Sequence, residues 1–117
     1  MNYERKTTSY GDLVIELSGE MDALGAVEIR PVLEEAVDQD QSENVSLDLS
    51  SVTFLDSSGI GAIVFLYKRL KAVGRKLEIS GVRGQPRELM ELLRIHKAIP
   101  VSWDVEVDSL LEEAACA

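Results

Sequence analysis

The run Val45-Ser46-Leu47-Asp48-Leu49 alternates apolar and polar residues, as a strand with one buried face does. Residues 3–9 and Leu13-Val14-Ile15-Glu16-Leu17 read as two further strands, joined as a hairpin at Tyr10-Gly11-Asp12. Ser18-Gly19-Glu20-Met21-Asp22 then reads as a loop. The helix that follows places Val27, Leu33, Ala36 and Val37 on one face and turns Glu28, Glu34 and Glu35 outward. Pro31 must fall in the first turn of that helix, where its missing N–H costs nothing, or else kink it. Residues 38–44 form a polar connection. In the central helix Ile60, Ile63, Val64 and Tyr67 follow the i, i+3, i+4, i+7 spacing, with Leu66, Leu70 and Val73 broadening the stripe. Lys68, Arg69 and Lys71 suit the negative end of its dipole, and Gly74 is a natural stop. A strand at 76–80, a loop at 81–86, a helix at 87–95 and a short strand at 99–103 come next. A last helix at 106–115 carries Val107, Leu110, Leu111 and Ala114 on one face. Strand–helix–strand alternation from residue 45 predicts parallel pairing with right-handed crossovers. The fold class is therefore α/β: one domain over residues 1–117, with a mixed, mostly parallel sheet flanked by helices.

Composition narrows the setting. With 117 residues, 45% hydrophobic and 28% charged, the chain can bury a single core. Its longest apolar stretch, Gly59 to Tyr67, has nine residues, half of the ~18 needed to cross a bilayer. Met1-Asn2-Tyr3-Glu4-Arg5-Lys6 has no secretory apolar region, and the one cysteine, Cys116, can form no internal disulfide. A reducing cytoplasm is the expected compartment. Net charge is −9 and unevenly spread: residues 1–58 hold three basic against thirteen acidic residues, and residues 59–117 nine against eight. An acidic front half repels phosphate backbones, which argues against nucleic acid; it reads first as an ordinary solvated surface, and the same field would favour a protein partner with a basic surface.

The most informative residues are Asp56-Ser57-Ser58-Gly59-Ile60-Gly61. They lie where a strand has ended and a helix begins, so free N–H groups and the positive end of the dipole are directed at them. Enzymatic chemistry finds little support elsewhere. His96, the only histidine, reads as a solvated or C-capping imidazole; no G-x-S-x-G elbow surrounds Ser57 or Ser58. Asp22, Asp48 and Asp56 are scattered and lack metal-ligand spacing. Gly59-Ile60-Gly61 begins like a dinucleotide loop, but Val64 stands where that motif needs a third glycine. No cofactor is expected.

One of Asp56, Ser57 and Ser58 caps the helix. A single cap needs one such residue, and here are three, followed by two glycines that weaken a first turn by up to ~1 kcal/mol each. Gly59 and Gly61 either pack closely inside the fold or leave room for a visitor. A phosphate on Ser57 adds ~1.5–2 negative charges, which the amides of Ser58, Gly59 and Ile60 are placed to receive. A partner packed there would have to desolvate that dianion beside Asp56, at a cost of at least ~3 kcal/mol, roughly a hundredfold in affinity.

Leu47-Asp48-Leu49-Ser50-Ser51-Val52-Thr53-Phe54-Leu55-Asp56-Ser57-Ser58-Gly59-Ile60-Gly61 closely resembles the signature of the STAS-domain anti-sigma factor antagonists, or anti-anti-sigma factors. Ser18-Gly19-Glu20-Met21-Asp22 resembles that family's Gly-Glu-Leu-Asp loop, with Met21 in place of leucine. The resemblance implies no catalysis by this chain. It implies phosphorylation at Ser57 by a cognate anti-sigma serine kinase of the histidine-kinase-like ATPase fold, to which ATP and magnesium would belong. It implies a PP2C-type phosphatase that restores binding. The implied partner-facing surface comprises Asp22 and the run Asp56, Ser57, Ser58, Gly59, Ile60 and Gly61. Ala23-Leu24-Gly25 and Pro31 depart from the family pattern in a region that bears on partner choice. Two other classes compete: a non-switching STAS scaffold or transporter-accessory subunit, and a small hydrolase using Ser57 or Ser58.

Overall fold

The computed structural model describes residues 1–103. Five strands form one sheet in chain order: β1 (Asn2–Thr7), β2 (Leu13–Met21), β3 (Asn44–Leu55), β4 (Lys76–Val82) and β5 (Val101–Trp103). Only β1 and β2 run antiparallel. The other pairs are parallel, joined by α1 (Ala23–Asp38), α2 (Ser57–Ala72) and α3 (Gly84–Leu92). The mixed α/β sheet is as expected, and so is the hairpin: Thr8 N–H donates to the Asp12 carbonyl at 2.8 Å, and Gly11 turns with φ 83°.

Period-two patterning does the sorting. Leu13, Ile15, Leu17, Val45, Leu47, Leu49, Leu77 and Ile79 are buried, while Glu16, Ser46, Asp48 and Glu78 between them are not. α1 and α2 lie side by side and bring Ile29, Leu33, Ala36, Ile63, Leu66 and Leu70 to that core. Each fully buried Leu or Ile contributes about 2 kcal/mol.

Several boundaries differ from expectation. β2 continues through Ser18–Met21, so the expected loop is strand, carried past a bulge near Gly19 (φ 109°). β3 extends from Leu49 to Leu55, because β2 offers it a partner that far. Pro31 sits mid-helix, not in the first turn: the Asp22 cap sets the start of α1 at Ala23, and the proline ring faces solvent. That same start rotates Val27 out of the core, leaving it 70% exposed, and the buried stripe runs instead through Gly25, Ile29, Val32, Leu33 and Ala36. In α2 the buried residues are Gly59, Ile63, Leu66 and Leu70; Ile60, Val64 and Tyr67 are half-buried and Val73 is exposed. α3 begins at Gly84 and ends at Leu92, just before Arg94 adopts a left-handed φ of 56°. The expected helix at 106–115 lies outside the described residues.

The far end of the helical layer is tied by one arginine. Gly74 (φ 75°) closes α2, with Gly74 N–H donating to the Lys71 carbonyl at 3.1 Å and Arg75 N–H to that of Leu70 at 2.9 Å. The Arg75 side chain then donates to the carbonyls of Ala36 and Val37 at 3.1 Å and of Ser42 at 2.6 Å, capping α1. Burial pushes the neighbouring Asp40 carboxyl up, but hydrogen bonds from Ser42 and the guanidiniums of Arg75 and Arg5 outweigh it and hold the group below its ordinary value. That stabilisation is complete above a carboxylate's usual value of about 4 and fades as pH falls through the lower folded value.

Candidate functional site

Met21 and Leu55 are register partners at the ends of β2 and β3. The next residue of each strand, Asp22 and Asp56, leaves the sheet in an extended conformation and starts a helix, so α1 and α2 open side by side at the carboxyl edge of the sheet. In open α/β folds this is the edge where recognition sites gather. Asp22 Oδ1 accepts from Gly25 N–H at 2.8 Å. Asp56 Oδ1 accepts from Ser58 N–H at 2.9 Å and Gly59 N–H at 3.2 Å. Of the three candidate caps, Asp56 therefore does the capping, and Ser57 and Ser58 stand exposed.

The glycines divide between the two open readings. Gly59 is buried, and a Cβ there would run into the Met21 carbonyl oxygen and lie 2.5 Å from Leu55 Cδ1. Its bareness lets α2 sit against the end of β2. Gly61 is exposed, and a Cβ there would meet nothing within 4 Å. Gly61 and Ser58 both line an open groove between α1 and α2. Ile60 is half-buried, its N–H donating to the Asp56 carbonyl at 3.0 Å.

Those bonds also revise the electrostatics. The amides of Ser58 and Gly59 already serve the Asp56 carboxylate, and that of Ile60 serves a helical carbonyl. A phosphate on Ser57 would have to compete with Asp56 for them. The added charge thus stays at the surface, beside an existing negative charge.

Two supporting residues were not anticipated. Gln85, at the start of α3, accepts from Leu55 N–H through Oε1 at 2.8 Å and donates to the Leu55 carbonyl through Nε2 at 2.7 Å. It replaces β4, whose pairing with β3 stops at Asp48 and Ser80, and so holds the residue immediately before Asp56. Asp56 N–H, on the other side, reaches the Met21 carbonyl at 3.4 Å. The second residue is Gly25, whose Cβ would strike the Glu20 carbonyl oxygen. The sequence did carry a signal for it: Asp-x-x-Gly occurs at 22–25 and again at 56–59.

The remaining candidates lie elsewhere. His96 is exposed and meets Trp103 edge-on at 5.8 Å between ring centroids. Asp48 Oδ1 accepts from Ser50 N–H at 2.9 Å. Among the described residues no three His, Cys, Asp or Glu side chains are grouped to hold a metal ion, and no helix is long and apolar enough to cross a membrane.

Residues 3–107 match the model of the STAS domain. An anti-sigma F factor antagonist of Paenibacillus polymyxa is 32% identical over 102 residues, covering 87% of this chain and 86% of that protein. Among solved structures, an anti-sigma factor antagonist from Mycobacterium paratuberculosis superposes with a TM-score of 0.77 at 21% identity, over 97% of this chain and 93% of that one. The Bacillus cell fate determinant SpoIIAA in its phosphorylated form gives 0.67 at 19% identity, over 97% of this chain and 99% of that one.

Proposed function

Because the chain belongs to the STAS-domain family, we propose that it is an anti-sigma factor antagonist that works by partner switching. Unphosphorylated, it binds a cognate anti-sigma serine kinase. Phosphorylation at Ser57 by that kinase breaks the complex, and a PP2C-type phosphatase restores it. The chain contributes a docking surface and a phosphoacceptor, not catalysis. The observation that carries this reading is the position of Ser57: exposed, first in its helix, beside a carboxylate that has already taken the amides of Ser58 and Gly59. Asp22, Asp56, Ser58, Ile60 and Gly61 surround it as the partner-facing surface, while Gly59 acts from beneath by setting how closely α2 approaches β2.

The physical step is desolvation. A partner covering this helix start in the unphosphorylated state buries a neutral hydroxyl beside Asp56. In the phosphorylated state it must strip water from a dianion next to that carboxylate, which costs at least ~3 kcal/mol, about a hundredfold in affinity. The test is calorimetric titration of the kinase with Ser57→Asp and Ser57→Ala. The first should lose at least about a hundredfold in affinity, and the second should bind whether or not ATP is supplied. Equal affinity of the two variants, both folded by circular dichroism, would sink the switch. Phosphopeptide mapping that places the label on Ser58 would move the acceptor by one residue and leave the switch standing.

A further inference from the structure

The groove between α1 and α2 has a volume of about 370 Å³ and is lined by Ala23, Ala26, Gly61 and Ala62 with the larger Val27 and Phe65. Ser58 belongs to the same lining, so one end of the groove is the helix start already described. The other end lies about 10 Å along, at the 1.5 Å rise per residue that separates Ser58 from Phe65. There the guanidinium of Arg30 sits 4.8 Å and that of Arg69 5.4 Å from the centroid of the Phe65 ring.

Three features mark the groove as made for an occupant. Val27, in the α1 side of the lining, is 70% exposed, and Leu24, one turn before it, is 68% exposed, an apolar strip that nothing in the described fold covers. Gly61 leaves space that no neighbouring atom claims within 4 Å. And in a front half with only three basic residues, one of them, Arg30, stands here with Arg69 beside it. Their own partners, Glu34 at 3.2 Å and Asp38 at 3.5 Å, form exposed pairs that an incoming carboxylate can exchange for little cost.

We propose that this groove anchors the same protein partner whose docking Ser57 gates: the partner inserts one aliphatic or aromatic side chain between α1 and α2 and sets a carboxylate against Arg30 and Arg69. This rests on the partner-switching reading and adds the chemistry of the partner's contact. Continuity through Ser58 places the anchor and the gate under one footprint. Charge sets its direction. Arg30 and Arg69 are balanced by Glu34 and Asp38 and offer guanidinium donors. Asp56 at the other end is a capping carboxylate with no cation paired to it among the described residues, and it repels another. A phosphate on Ser57 then acts at the mouth of an apolar contact, where a poorly solvated charge is most disruptive.

The test uses the purified kinase that labels Ser57 with ATP as the probe, titrated with full-length variants. Gly61→Leu fills the groove from a position where the fold has room. It should keep or raise the melting temperature and weaken kinase binding at least tenfold, and Gly61→Ala, which fills less of the groove, should weaken it less. Arg30→Glu should weaken binding about tenfold and flatten its dependence on salt. Should Gly61→Leu fail to fold, Val27→Asp, at an exposed position, carries the same expectation. Parent-like binding by folded Gly61→Leu and Val27→Asp, with Ser57→Asp still unable to bind, would overturn the anchor and leave the switch intact. Equal binding by Ser57→Asp and Ser57→Ala would overturn both. Sedimentation of the chain alone covers the remaining occupant: a dimer that Gly61→Leu dissolves would assign the groove to a second copy and overturn the proposal.

Discussion

The starts of α1 and α2 are built alike and used differently. Each follows a strand end paired with the other, Met21 with Leu55, and each is capped by an aspartate, Asp22 or Asp56. Each has a buried glycine three residues on, Gly25 or Gly59, whose N–H donates to that aspartate and whose Cβ would strike a carbonyl oxygen at the end of β2. What differs is the two residues between. In α1 they are Ala23 and Leu24, in α2 Ser57 and Ser58, and all four are exposed. The aspartates and glycines are thus accounted for by the fold, since the α1 start needs them with no hydroxyl present. The serines are not, because Asp56 already caps α2. What sets α2 apart is therefore its pair of exposed hydroxyls, the feature that the proposed partner would meet.

The sharpest way to break the likeness is to add one methyl group to each buried glycine. Gly25→Ala and Gly59→Ala should each lower stability by about 3 kcal/mol, at the upper end of overpacking costs, because the clash is with backbone that belongs to the sheet ladder. Urea denaturation should show both midpoints falling together. If Gly25→Ala were tolerated while Gly59→Ala was not, the two starts would not be equivalent, and the cost at residue 59 would belong to the site alone.

The equivalence also shows what could be read from the chain beforehand. The α/β class, the hairpin, the Gly74 stop and the helix start at Asp56-Ser57-Ser58 follow from local rules of period, turn and cap, which need no knowledge of neighbours. The ends of β2 and β3 do not. Ser18–Met21 reads as a loop alone, and the strict alternation of the third strand ends at Leu49; both stretches are strand because each supplies the other's hydrogen bonds. Val27 lies off the expected face because a helix face can be assigned only once its first residue is known, and Asp22 fixes that. Gln85 left no local mark: a glutamine in a loop acquires meaning only when α3 brings it to Leu55 from thirty residues away.

Gln85 is also where the two starts diverge structurally, since it holds the residue before Asp56 by both backbone groups. Gln85→Ala leaves the Leu55 N–H and carbonyl without that partner and should cost about 2 kcal/mol. Gln85→Glu keeps the acceptor and loses the donor, so its cost at neutral pH should be intermediate and should shrink on acidification, as a protonated carboxyl can donate to the Leu55 carbonyl. Thermal unfolding at two pH values reads this directly. A cost for Gln85→Glu equal to that for Gln85→Ala at both would show that the clamp is not made by the two bonds.

The smallest effects come from the caps, and they bear most closely on the phosphate. Asp22→Ala and Asp56→Ala should each cost about 1 kcal/mol, with Asp56 the larger because its carboxylate serves two amides and that of Asp22 serves one. Asp56→Ala also frees the N–H groups of Ser58 and Gly59 at the positive end of α2. In the parent, a phosphate on Ser57 finds those amides taken and sits beside a carboxylate, so phosphorylation should leave the melting temperature unchanged or slightly lower. In Asp56→Ala the phosphate can take the vacated amides, and phosphorylation should recover most of the lost cap. Melting curves of four species, each protein with and without kinase treatment, carry the comparison. A phosphate that stabilised the parent as much as the variant would mean that Asp56 yields its amides readily, and that the dianion is held against the helix and not presented to the partner.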